Sequence, residues 1–132
     1  MYKIEEKPFG FEVAFSGFMQ GSDIATFRGE MEPMIRSQRE PFGVLVDLRE
    51  SRTFPADAQA GLMQMIGLCI EHGMERNVVV VNSAITKIQA ARLARETQIA
   101  QVRFLDAADN PEWRRQAEDW LTQGKEPDRP ST

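Results

Sequence analysis

The sequence predicts a mixed α/β domain of five strands and about four helices, in the order β-β-α-β-α-β-α-β-α. Three observations carry this reading. Val44-Leu45-Val46 and Val78-Val79-Val80-Val81 are apolar at every position, and such runs need cover on both faces, as parallel strands in α/β domains have. A helix-like segment of crossover length separates them. Phe11, Val13 and Phe15 instead alternate with Glu12, Ala14 and Ser16, the mark of a strand buried on one face only.

Taken in order, Tyr2 to Lys7 alternates weakly and Pro8 to Gly10 makes a turn, so the chain opens on an antiparallel hairpin. Gly17 and Gly21 punctuate its exit. Ser22-Asp23 reads as the cap of a helix with Ile24, Phe27, Met31, Met34 and Ile35 on one face. Pro33 is expected to kink that helix or split its last turn. Pro41-Phe42-Gly43 introduces the first apolar strand, expected to end near Arg49 ahead of a loop from Glu50 to Phe54. Pro55 in the first turn, with Asp57 near the positive dipole end, opens a helix that runs to about His72 and stops at Gly73.

Arg76 leads into the valine run, and Asn82-Ser83 caps a helix over residues 84–97 carrying Ile85, Ile88, Leu93 and Ala94. Ile99, Val102, Phe104 and Leu105 supply the fifth strand. Asn110 caps and Pro111 opens the last helix, where Trp113, Ala117, Trp120 and Leu121 recur at helical spacing. That recurrence fits core packing better than ligand stacking. Gly124 ends the helix. A single domain over residues 1–124 and a disordered tail over 125–132 are expected.

A chain of 132 residues can bury one core of useful size. Its net charge of −4, with no basic block, argues against nucleic acid as a partner, because phosphate neutralisation needs a clustered basic surface. The single cysteine, Cys69, cannot form an internal disulfide, and its neighbours Leu68 and Ile70 mark a buried, inert thiol. No segment approaches the roughly 20 apolar residues of a membrane span. Met1 to Glu6 carries no apolar signal core, so a cytoplasmic protein is expected.

Recognisable catalytic chemistry is thin. His72, the only histidine, stands at a helix end where a cation helps the dipole. No serine has the setting of a nucleophile elbow. One histidine and one cysteine leave too few soft ligands for zinc. Asp47, Asp106 and Asp109 could converge as hard-metal ligands, but acids at strand ends more often cap turns. No phosphate-cradling glycine loop is present. Neither metal nor cofactor is therefore expected. What does gather, at the carboxyl rim of the predicted sheet, is Asp47, Arg49, Ser51, Arg52, Thr53, Asp57, Asn82 and Ser83. Helix N-termini there could attract an anion or a partner; the alternative is capping and a solvated loop.

Three stretches together are familiar: Phe42-Gly-Val-Leu-Val-Asp-Leu-Arg49, the valine run ending at Asn82-Ser83, and residues 104–113 followed by Ala117 and Trp120-Leu121. They resemble the small bacterial SpoIIAA-like proteins, which are similar in fold to STAS domains (the anti-sigma-factor antagonists) and to lipid-binding CRAL-TRIO domains. The resemblance runs from about Tyr2 to Gln123 and implies a STAS-like mixed sheet. In the antagonists a serine at the start of the helix after the central strand is phosphorylated. The matching stretch here, Phe54 to Leu62, lacks the Asp-Ser-Ser-Gly-type motif; Asp57 stands near the serine's place, as a constant charge or as a cap.

These readings lead to a non-enzymatic regulatory or protein-interaction module. The helix between the apolar runs carries two stripes, Leu62-Ile66-Cys69 and Met63-Gly67-Ile70, and one sheet needs only one of them. The second stripe, Met63, Gly67 and Ile70, is the expected self-association face of a homodimer. The competing expectation is a binder of a lipid-like or small apolar ligand, with Phe18, Met19, Met31 and Met34 lining its pocket.

Overall fold

The computed structural model describes residues 1–127; the end of the expected tail, residues 128–132, lies outside the described residues. The elements are β1 (Tyr2–Lys7), β2 (Gly10–Gly17), α1 (Gly21–Arg36), β3 (Phe42–Ser51), α2 (Ala56–Glu71), β4 (Met74–Val81), α3 (Ala84–Thr97), β5 (Val102–Asp106) and α4 (Trp113–Gln123). This is the predicted order. The five strands form one sheet in chain order, β1 antiparallel to β2 and every later pair parallel.

Strand order that follows chain order has a direct consequence. Each crossover between adjacent parallel strands is right-handed, so α1, α2 and α3 land on the same face of the sheet. α4 follows the last strand and covers the other. The two faces accordingly hold two cores. Phe11, Val13, Phe15, Val44, Leu48, Val79 and Val81 meet the three helices. Leu45, Val78, Val80 and Leu105 meet Ala117, Trp120 and Leu121 of α4. The runs Val44–Val46 of β3 and Val78–Val81 of β4 are apolar at every position because helices cover both of their faces; β2 alternates because α4 meets it through a charged pair, Arg114 on Glu12.

Several boundaries differ from expectation for identifiable reasons. α1 begins at Gly21 with Gln20 as its cap, because Asp23 accepts the Gln20 N–H at 2.8 Å and closes a capping box. Pro33 does not split α1, which continues to Arg36. Pro33 is exposed and so lies on the solvent side, while Met31 and Ile35, buried beside it, hold the last turn to the core. β3 runs past Arg49 to Ser51, since Glu50 and Ser51 still pair with Ser16 and Gly17 of β2. α4 starts at Trp113, two residues beyond Pro111; Asn110 ties the entry by accepting the Glu112 N–H at 3.2 Å. Ile99 precedes β5 instead of lying in it. In the tail's first residues, Glu126 accepts two bonds from Arg103, at 2.7 and 2.5 Å.

Candidate functional site

The three helices on one face are not packed alike. α1 and α2 meet closely at Gly61, where a Cβ would lie 2.8 Å from the Ile24 Cγ2. Between α2 and α3 the seam stays open, leaving a crevice of about 100 Å³ over the sheet. Leu62, Met65, Ile66 and Cys69 of α2 form one wall; Ala90, Leu93 and Ala94 of α3 form the other. Val13, Phe15, Val44, Val46, Leu48 and Val79 make the floor. On the far side of α3 an open, shallower groove of about 390 Å³ runs past Ala91, Ile99, Val102 and Phe104. α3 is thus the helix with free space on both flanks.

Polar groups touch the crevice at few points. Near the β3–α2 connection the Phe54 N–H donates to Gln89 Oε1 at 2.8 Å, and Gln89 Nε2 donates back to the Phe54 carbonyl at 3.0 Å. Gln59 Nε2 donates to the same carbonyl at 2.7 Å, and Arg92 reaches across from α3 to Gln59 Oε1. These bonds lace α2 to α3 at one end of the seam. Thr86, in the first turn of α3, takes a bond from Ser83 Oγ at 3.1 Å. Asn77 stands toward the opposite end, in β4, donating through Nδ2 to the Val44 carbonyl at 2.9 Å. Burial pushes the Cys69 thiol up to about 12, so it is protonated and inert at neutral pH.

The other face is closed. Trp120 is buried, its Nε1–H donates to the Asn77 carbonyl at 3.0 Å, and the Arg103 guanidinium lies 4.1 Å from its ring centre. Arg49 and Arg114 lie 4.3 and 4.8 Å from the Trp113 ring centre. Each is also paired: Arg49 with Asp47 at 2.9 Å, Arg114 with Glu12 at 2.9 Å. Glu12 raises the Arg114 pKa further, chiefly by accepting its hydrogen bonds.

The residues expected at the rim do not form one constellation. Asp47 and Arg49 pair with each other on the α4 face. Asp57 lies on the opposite face, in the first turn of α2 beside Gly21, where Oδ1 accepts the Ala58 N–H at 2.8 Å. Ser83 caps α3 by accepting the Thr86 N–H at 3.1 Å. Ser51 Oγ donates to the Arg52 carbonyl at 2.8 Å, and Arg52, Thr53 and Asn82 are exposed. Asp23 and Asp57 place the chain's own carboxylates at the starts of α1 and α2. Asp106 Oδ1 accepts the Ala108 N–H at 2.9 Å, and among the described residues no group of three acidic, histidine or cysteine side chains is placed to hold a metal.

Of the expected pocket residues, Met31 alone lines the crevice. Phe18 is exposed in the β2–α1 loop, Met19 is buried away from it, and Met34 is half-buried on α1. On α2, Met63 is half-buried while Gly67 and Ile70 are exposed. Ile85 and Ile88, expected on the apolar face of α3, point outward at 70% exposure each. The inward face is Thr86, Gln89, Ala90, Leu93 and Ala94, one helical stripe that leaves Ile85 and Ile88 on the opposite side. The crevice residues missed from the sequence had a signal: a lone asparagine in a valine strand, and two alanines one turn apart on a buried helix face.

Fold and crevice together define an α/β protein with a SpoIIAA-like fold and an apolar seam under one loosely seated helix. A solved structure with this architecture is an uncharacterized protein of the DUF3478 family with a SpoIIAA-like fold from Shewanella loihica PV-4. It is similar at a TM-score of 0.62 and 21% identity, over 92% of each chain. No protein-family model matches the sequence. No curated protein matches it. Among the described residues no helix is long and apolar enough to cross a membrane.

Proposed function

We propose that this protein is a non-enzymatic binding module that holds a small apolar ligand between α2 and α3. The observation that carries this reading is the crevice: about 100 Å³, walled by aliphatic side chains, beside a helix with open space on both flanks. Cavities of comparable size and lining stay dry and take up small apolar molecules. Reading the module as non-enzymatic is supported by the side chains at hand. The one thiol is buried and protonated, and the carboxylates at the rim are tied to arginine or to helix starts.

Adding benzene to labelled protein should shift the amide signals of α2, α3, Val44 and Val79 and leave those of α4 in place. Unchanged α2 and α3 signals at saturating benzene remove the reading. A second reading, self-association in a regulatory role, is favoured by Gly67, Ile70, Ile85 and Ile88, an exposed small and apolar set on the same two helices. Sedimentation at high concentration tests it: a clean monomer ends it.

A further inference from the structure

We propose that the crevice selects ligands carrying one hydrogen-bond donor on an uncharged apolar body, with the side-chain oxygen of Asn77 as the acceptor. This rests on the crevice being a binding site and names the class of ligand it takes. Asn77 is 5% exposed, and its other three polar atoms are engaged. The N–H donates to the Gln101 carbonyl at 2.9 Å, the carbonyl accepts Trp120 Nε1–H at 3.0 Å, and Nδ2 donates to the Val44 carbonyl at 2.9 Å. The last bond settles which way the carboxamide points, because only its nitrogen can donate to a carbonyl.

No donor among the described residues reaches the remaining atom, Oδ1. Yet no fully enclosed side-chain nitrogen or oxygen among them lacks a partner. An unpartnered Asn77 Oδ1 must therefore face open space, and the space Asn77 lines is the crevice. An acceptor that faces a space walled by aliphatic side chains gains from an incoming O–H or N–H. Water is a poor substitute: it needs about two to four polar partners, and the other polar side chains on the crevice, Thr86 and Gln89, stand toward the far end, engaged with Ser83 and Phe54. No lysine or arginine lines the walls, so a carboxylate finds neither a counter-charge nor a use for the acceptor.

Cyclohexanol and methylcyclohexane, nearly equal in shape, separate the possibilities when titrated into wild type and Asn77→Leu. Asn77→Leu should weaken cyclohexanol roughly three- to tenfold, the worth of one net hydrogen bond, and leave methylcyclohexane within about twofold. Equal losses for both probes, or no loss for either, overturn the assignment of Asn77 while the crevice stands as a site. Failure of both probes to bind wild type removes the crevice reading, and this inference with it. The carboxamide signals of Asn77 in the wild type give a readout independent of the variant's folding. They should move with cyclohexanol and stay in place with methylcyclohexane; equal movement counts against the proposal.

Discussion

One helix seals its side of the sheet, and three helices leave theirs open. α4 brings two tryptophans, and a tryptophan fills the space between helix and strand with a single rigid group whose edge still finds a partner, here the Asn77 carbonyl. Arginines lie against both rings with their charges paired to acids. On the other face α2 sets medium-sized aliphatic side chains against Ala90 and Ala94 of α3, and the seam is bridged at one end by Arg92 on Gln59. The quality of a seam depends on the side chains that meet across it, not on the number of helices above the sheet.

The largest test of this contrast is Trp120→Ala. It removes a buried ring and the indole N–H bond to the Asn77 carbonyl. A loss of about 3–5 kcal/mol is expected, read as a lower urea midpoint with unchanged slope. A loss under about 1 kcal/mol would mean that α4 is not the sealed side.

Within the three-helix face, two insertions should behave oppositely. Gly61→Val forces methyl groups into the contact with Ile24, which is fully buried and stiff at its branched Cβ. Overpacking there should cost about 1–3 kcal/mol. Ala90→Leu adds similar bulk to the crevice and should leave stability unchanged or slightly raised, because the new atoms meet walls that now face empty space. It should also abolish the benzene-induced shifts. Equal destabilisation by both changes would show the α2–α3 seam to be as full as the α1–α2 contact.

This contrast also marks what the sequence reveals. The sheet was legible because burial on two faces writes an unbroken apolar run, as in β3 and β4, and burial on one face writes alternation, as in β2. Helix stops at Gly73 and Gly124 were legible because both glycines take positive φ. The crevice was not, since a void is a mismatch between two surfaces far apart in the chain. Leu62, Ile66 and Cys69 read as an ordinary core stripe, and only their pairing with Ala90 and Ala94 makes the gap. The division of the rim residues was hidden for a related reason: Asp47 and Asp57 lie ten residues apart in the chain yet end on opposite faces of the sheet.

A smaller effect probes the cation stacks. Arg49→Ala removes a half-exposed guanidinium that pairs with Asp47 and lies on Trp113. Exposed ion pairs and stacks each contribute modestly, so a loss of about 1 kcal/mol is expected. Arg49→Lys should recover part of it, because a lysine keeps the charge but not the planar contact.

The smallest effect up to about pH 9.5 returns to the crevice wall. The Cys69 thiol has its folded pKa raised by burial from 9.0 to about 12. A group whose folded pKa is raised favours the fold fully below its unfolded pKa, since both states are then protonated. As pH climbs past 9 the unfolded chain loses this proton and the folded protein keeps it, so stability falls until the folded thiol also ionises near 12. The loss should be under about 1 kcal/mol by pH 9.5 and approach about 1.4 kcal/mol per further pH unit. Lysines and tyrosine also titrate in this range, so the quantity to measure is the difference between wild type and Cys69→Ala. A parallel pair of curves would mean that solvent already reaches Cys69, and with it the crevice floor. Divergent curves that come closer when benzene is added would mean the reverse of shielding, that the ligand displaces the wall. Divergence that persists or grows with benzene is the expected result, because a ligand lodged against Cys69 keeps water from the thiol.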